Sequence, residues 1–484
     1  MPPILKYTLI TFMTLSMLAG CKKLVSISDP VDRITTAQAF TSNDLAIAAM
    51  NGVYNSIMYN GNPAGYVPAY AGLSSDEMLV LTTTTRDPIS SNHLFVIPNN
   101  GSPTDKLWPW AYNVIYTANA VIEGIAGSGS AQLTDSVRKQ LTAEAKCVRA
   151  YFYFYLTNFY GDIPLLLTTD YNTNILASRT QQTQVYQQIL KDLKDAQNDL
   201  PADYSFTAGH RTRINKWAAT ALLARIYLYT KNYNDAATAA TAVIGNTGLF
   251  RLETDLDSVF LIGSQEAIWQ LNQMINIYIV NSTPEGFIFL PQNGTVNTGP
   301  VSYIISSQLL NAFEPGDQRK QQWIDSSVFD YFGNGTPGTY YFPYKYKIGG
   351  FNQVVGGAAI EYSMALRLAE QYLIRAEAEA NGAPGGAAAA IADLNVIRHR
   401  AGVPDLPDNL SQTDLTAAIA KERQTELFCE GAHRWFDLKR TGQAHAVLSA
   451  IPYKQPWAGD YQLVYPIPIK DMQLDRNLTQ NQGY

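Results

Sequence analysis

The chain has 484 residues, 46% of them hydrophobic and 16% charged, which excludes wholesale disorder and leaves ample apolar surface for a core. Its formal net charge of -6 supplies no basic field to attract phosphate backbones, whose charge dominates nucleic-acid affinity. Nucleic acid is therefore not expected as a partner.

At the amino terminus Lys6 precedes an apolar run from Tyr7 to Leu18, followed by Leu18-Ala19-Gly20-Cys21. The run is too short for a membrane-spanning helix, which needs about 20 residues, so residues 1–20 read as an export signal with a lipobox. Cleavage before Cys21 makes it the first mature residue, and its thiol the site of lipidation. Residues 21–33 then form a lipidated tether. No later stretch is long and apolar enough to cross a bilayer, so the expected body is water-soluble and held at a membrane by acyl chains. The other cysteines, Cys147 and Cys429, lie among apolar neighbours in helical patterns. They read as two buried thiols or as one disulfide, and they are too few for a zinc site.

Along the chain, helical periodicity dominates two blocks, from Thr35 to Gly248 and from Glu361 to Gly442. Between Asn60 and Asp105 the pattern is irregular, and a helix opens near Trp108. The stretch from Glu144 to Leu156 has apolar residues at three- and four-residue spacing and stops at Gly161-Asp162-Ile163-Pro164, the pattern of a long core helix. Lys216 to Tyr229 and a second periodic stretch to Ile244 predict a helical hairpin turning near Lys231. The same grammar returns from Leu366 to Ala378, with a turn at Asn381-Gly382 and an alanine-rich helix from Ala387 to about Ala401. Small residues let paired helices approach while Tyr and Leu fill the grooves, as in tetratricopeptide-like repeats. The expected fold is mainly α, a tetratricopeptide-like right-handed helical scaffold with a loop-rich, partly β insertion. The alternative is a generic helical bundle. The divisions expected are 34–249 for the first helical region with its early loops, 250–357 for the irregular insertion, and 358–484 for the last helical region.

Several motifs occur in order: the lipobox at Cys21; Arg149-Ala-Tyr-Phe-Tyr-Phe with Tyr160-Gly161-Asp162-Ile163-Pro164; Ala224-Arg225-Ile-Tyr-Leu-Tyr; and Ala369-Glu370-Gln-Tyr-Leu-Ile-Arg375. Then follow Leu394-Asn395-Val-Ile-Arg398-His-Arg400, Glu422-Arg423-Gln-Thr-Glu426, Arg434-Trp-Phe-Asp437-Leu-Lys-Arg440 and Tyr465-Pro466-Ile467-Pro468. Over essentially its whole length the sequence resembles the SusD/RagB family of outer-membrane nutrient-binding lipoproteins. The resemblance implies a ligand face built from the irregular insertions, attachment to the outer membrane facing the cell exterior, and a SusC-like TonB-dependent transporter as partner. It implies a glycan as ligand, with a peptide, or a structural lid of little ligand affinity, as alternatives.

No catalytic constellation accompanies these motifs. Glu422, Glu426 and Glu430 recur one helical turn apart and repel one another, which calls for cations; Arg375, Arg398, Arg400, Arg434 and Arg440 are at hand for a structural ion network. Gly333-Asn-Gly335-Thr-Pro-Gly338 matches a dinucleotide string but lies in a Tyr- and Phe-rich loop with no strand and helix expected beside it. The five histidines form no metal motif, and His433 and His399 read as helix-packing residues. Neither a cofactor nor a metal is expected, and the chain reads as a binding protein, not an enzyme.

Binding rests on the aromatic content: 11% of the chain, with 30 tyrosines. A sugar presents an apolar C–H face that stacks on an aromatic plane, and Tyr and Trp add a polar handle. By the positions the family uses, the resemblance implies Asp76, Arg86, Trp108, Trp110, Asn113, Trp323 and Tyr341 as ligand residues. The competing readings are helix-core packing for Trp108 and Trp110, an ordinary loop aromatic for Trp323 and Tyr341, a helix cap for Asp76, and a solvated cation for Arg86.

Overall fold

The computed structural model describes residues 36–58, 63–81, 104–272, 281–457 and 459–484. Helices α1 (Thr36–Ala39), α2 (Asn43–Met58) and α3 (Pro63–Ser74) lead to strand β1 (Met78–Val80), then to α4 (Thr104–Gly127) and α5 (Asp135–Tyr160). A short excursion, β2 (Ile163–Pro164), α6 (Tyr171–Asn174) and β3 (Arg179–Thr180), precedes α7 (Gln182–Asp199), α8 (Lys216–Tyr229) and α9 (Tyr233–Ile244). The insertion holds β4 (Ala267–Leu271), α10 (Pro284–Phe289), β5 (Tyr303–Ile305), α11 (Ser307–Ala312), α12 (Gln318–Gln322), β6 (Ile324–Phe329) and β7 (Gly338–Pro343). Strand β8 (Ser363–Arg367) leads to α13 (Leu368–Ala380), α14 (Gly386–Arg400), α15 (Gln412–Glu426), α16 (His433–Arg440), α17 (Ala444–Leu448) and α18 (Ile469–Leu474).

Helix α5 is the axis of the scaffold. From Ala143 to Tyr160 it is buried on nearly every side, as a helix with apolar residues all round must be. It ends where Gly161 takes a positive φ of 76° and its N–H donates to the Thr157 carbonyl. Helices α4 and α7 pack on it, α8 packs on α7, and the succession continues through α9, α13, α14 and α15. Alanines bring the α8–α9 hairpin together: Ala218, Ala221 and Ala224 of α8 and Ala236, Ala237 and Ala240 of α9 are all buried. Asn215 caps α8, its side chain accepting from the N–H groups of Trp217 and Ala218 at 3.0 Å each, which satisfies donors the helix itself leaves open. The fold is a helical, tetratricopeptide-like scaffold.

Two readings of the sequence need correction. The irregular stretch after Asn60 contains helix α3 despite Pro68 within it. Its glycines permit close packing: a Cβ on Gly65 would meet Ile288 at 2.7 Å, and one on Gly72 the Met78 sulfur at 2.7 Å. Burial overrides the poor helix propensity of that composition. Helix α13 begins at Leu368, and Leu366 and Arg367 belong to β8, which pairs antiparallel with β4. Cys147 and Cys429 are both buried and unpaired. Among the described residues no helix is long and apolar enough to cross a membrane.

Candidate functional site: an aromatic hairpin on an ion-paired scaffold

The charged residues of the sequence motifs join helix to helix. Arg149 of α5 grips Asp192 of α7 through Nε and Nη2 at 2.9 and 2.8 Å. Arg225 of α8 holds Glu370 of α13 at 2.6 Å twice, and Arg375 of α13 holds Asp393 of α14 at 2.7 Å twice. Arg423 binds Asp437, and Arg440 reaches Glu377 at 2.5 and 2.7 Å. Such forked pairs fix geometry as well as energy.

The carboxylates at the end of α15 are held by a denser set. Arg319 donates to Glu422 at 2.5 Å and Glu426 at 3.1 Å; Arg367 reaches Glu266, Glu426 and Glu430 at 2.8, 2.6 and 2.7 Å. Arg398 and Arg400 join Glu422 and Glu426, and Lys345 contacts Glu430. Burial alone would raise the Glu426 carboxyl, but Arg400, Arg367 and Arg319 outweigh it and hold it well below the usual carboxylate range. The network expected from the sequence is present with different members. Arg375, Arg434 and Arg440 pair elsewhere, and Glu430 lies beyond the end of α15, in a turn where Cys429 has φ of 54°.

Most of the sequence candidates belong to this packed interior. Asp76 is buried and takes both arms of Arg434 at 2.7 Å each, so its carboxylate joins the β1 approach to α16. Trp108 is buried against Tyr112 and edge-on to Tyr160, with centroids 4.9 and 5.0 Å away. Trp110 donates its indole N–H to the Ile57 carbonyl at 3.2 Å and meets Phe152 edge-on. Trp323 is fully buried, its indole N–H on the Leu256 carbonyl at 3.0 Å and the Lys345 ammonium 4.7 Å from its ring. These rings offer no open face for a sugar, because packing partners occupy them. Asn113 stands exposed on α4 and Tyr341 is 42% exposed on β7. Arg86 and Cys21 lie outside the described residues.

A partly exposed aromatic cluster occurs on the hairpin of β6 and β7, with Phe332 exposed and Phe329, Tyr331 and Tyr340 half-buried. The strands pair antiparallel from Ile324 opposite Pro343 to Phe329 opposite Gly338. Phe329 and Tyr340 lie with centroids 4.7 Å apart, Tyr331 is 6.2 Å from Phe329 and 6.3 Å from Tyr340, and Phe332 is 5.2 Å from Tyr331. Phe332 is 68% exposed at the tip. The dinucleotide-like string forms the turn between two paired strands, which corrects the expectation of no strand beside it: Gly333 and Gly335 have φ of 64° and 83°, a region glycine enters without steric cost. The Asp330 carboxylate accepts from the N–H groups of Asn334 and Gly335 at 3.2 and 2.6 Å, so the turn is braced. Tyr341 projects from the opposite face of the same hairpin, on which Val328 is also exposed. The signal for this cluster was in the sequence, as aromatics crowded on both sides of a Gly- and Pro-rich turn. A separate concavity of about 780 Å³ opens between α13, α15 and α16.

Residues 49–228 match a family described as starch-binding and associating with the outer membrane, and residues 311–484 match the SusD family. A SusD-like protein P2 of Formosa agariphila is 26% identical across 99% of this chain and all of that protein. The starch-binding protein SusD of Bacteroides thetaiotaomicron is 23% identical over 73% of this chain and 74% of that one. A solved laminarin-binding SusD-like protein superposes with a TM-score of 0.71 at 25% identity, covering 92% of this chain and all of the other. Together with the ion-paired helical scaffold, these matches show that the chain belongs to the SusD/RagB family.

Proposed function

We propose that this chain is a glycan-capturing lipoprotein of the outer membrane, lipidated at Cys21 and facing the cell exterior, that passes oligo- or polysaccharide to a SusC-like TonB-dependent transporter. The observation that carries the ligand reading is the contiguous aromatic cluster of half-buried Phe329, Tyr331 and Tyr340 and exposed Phe332 on a braced hairpin. Rigid aromatic planes lose little entropy on stacking and bind the apolar faces of sugar rings, while their hydroxyls meet the rim. Tyr341 and Asn113 remain ligand candidates at exposed positions. Family membership and the starch- and laminarin-binding relatives support a carbohydrate ligand. The charged motifs are spent on helix-to-helix pairing, which supports binding without chemistry on the bound molecule.

The test is calorimetric titration of the body from Lys23 onward with starch- and laminarin-derived oligosaccharides and other glycans, with oligopeptides alongside. Saturable glycan binding that weakens in Tyr331→Ala supports the proposal. Binding confined to oligopeptides favours a second reading, peptide capture, for which the 780 Å³ concavity offers a place: Lys231 and Lys421 line it, and the Arg423–Asp437 and Arg440–Glu377 pairs form part of its wall.

A further inference from the structure

One apolar surface serves neither the core nor the aromatic hairpin. It lies on residues 165–178, the excursion between β2 and β3. Tyr171 is 70% and Leu176 69% exposed there, Leu167 and Ile175 are exposed beside them, and Leu474 at the end of α18 is 70% exposed. Asn477, three residues beyond Leu474, donates its side-chain amide to the Leu176 carbonyl at 3.0 Å, which ties the two segments together. Large exposed apolar side chains gathered in one place, rather than scattered singly, are the kind of patch that serves as a binding surface.

The scaffold holds these side chains outward. The Tyr153 hydroxyl donates to the Leu166 carbonyl at 2.6 Å and accepts from its N–H at 2.7 Å. The Asp170 carboxylate accepts from the N–H groups of Asn172 and Thr173 at 3.3 and 3.2 Å. The backbone is thus fixed on both sides of the exposed residues.

The patch also has a defined place relative to the tether. The segment runs along α4 toward its C-terminal end: Tyr112 donates to the Pro164 carbonyl at 2.8 Å, Asn119 to Leu166 at 3.0 Å, and Glu123 accepts from the Thr169 N–H at 3.1 Å. The chain enters the body at that same end. The Phe40 ring packs so closely on Gly124 that a Cβ there would meet it at 2.1 Å, and Ser128 donates to the Phe40 carbonyl at 2.6 Å. Cys21 precedes Thr36 by fifteen residues, which span about 50 Å at most. An anchor at Cys21 therefore keeps this end of the molecule within reach of the membrane.

The side chains distinguish what the patch meets there. Residues 165–178 include no Lys or Arg and Asp170 is their one charged residue, while around Leu474 the cations Lys470 and Arg476 are matched by Asp471 and Asp475 rather than in excess. Segments that lie in a lipid interface are rich in Lys and Arg, whereas a Tyr and aliphatic centre with a rim of Thr and Asn is the anatomy of a protein–protein interface. We propose that residues 165–178 with Leu474 form the surface on which this chain seats against its membrane-embedded transporter, meeting an apolar loop on the exterior side of the barrel. The inference rests on the transporter reading given above.

The test uses the full-length lipidated chain in the outer membrane of its native cell, with the photo-crosslinker p-benzoylphenylalanine replacing Leu176, Leu474 or, as control, the exposed Val396 of α14. Irradiation is expected to give an adduct with a TonB-dependent barrel, identified by mass spectrometry, from positions 176 and 474 and none from 396. Leu176→Asp is expected to lower co-purified barrel at least tenfold while leaving glycan affinity within twofold. Adducts with lipid alone, adducts only from position 396, or undiminished co-purification of Leu176→Asp overturn the inference and leave the transporter reading standing. No barrel recovered with the unmodified chain overturns that reading and the inference with it.

Discussion

Arg225 and Glu370 show what the recurrent charged residues do. Both are buried, and although burial alone would raise the Glu370 carboxyl, Arg225 holds it below the usual carboxylate range. Glu370→Gln leaves a guanidinium buried with a neutral partner. Breaking one side of such a pair costs about 3–5 kcal/mol, and urea denaturation should show a loss of that order with the helical spectrum retained. Glu77 has the opposite electrostatics: burial, and next Asp76, raise its carboxyl to about 8. The folded state therefore keeps a proton that the unfolded chain releases near the ordinary carboxylate pKa. The stability this contributes is complete below that pKa and is lost as pH rises to about 8, a swing on the order of 2–5 kcal/mol. Glu77→Gln should remove that part of the slope, so denaturation curves from pH 5 to 9 should show the native chain weakening relative to the variant.

At the scale of elements, the β6–β7 hairpin and the buried tryptophans separate binding from stability. Tyr331→Ala or Phe332→Ala should leave the denaturation midpoint nearly unchanged and weaken glycan binding roughly 2- to 10-fold, the range of about 0.5–1.5 kcal/mol for an aromatic contact. Trp323→Ala should instead cost about 3–5 kcal/mol of stability, measured by the same denaturation. The sequence distinguished these cases poorly for a physical reason. An indole suits a core or a ligand face equally well, and the partner that commits Trp323 to the core, the Leu256 carbonyl, is 67 residues away. Helices α5, α8 and α9 were legible because their three- and four-residue apolar spacing is local information. Helix α3 was not, because its Gly65 and Gly72 read as loop residues until the close approach of Ile288 and Met78 explains them. The need for cations around Glu422 and Glu426 was also legible. The contribution of Arg319 from the insertion was not, since that contact spans more than 100 residues.

For the whole molecule, the scaffold carries the aromatic hairpin on the insertion, while the first described helices pack beside the apolar surface of residues 165–178. The lipidation proposed at Cys21 would give this arrangement a direction, and on that proposal Cys21→Ala should move the chain from the membrane to the soluble fraction on cell fractionation. The central claim is capture of a glycan by the hairpin. Its most direct test is parallel calorimetry of the soluble body and of its Tyr331→Ala/Phe332→Ala variant against starch- and laminarin-derived oligosaccharides within a broad glycan panel. Saturable binding by the native body, weakened about tenfold or more in an equally stable variant, is the predicted result. No glycan bound by a folded native body, or binding undiminished in the variant, would contradict it.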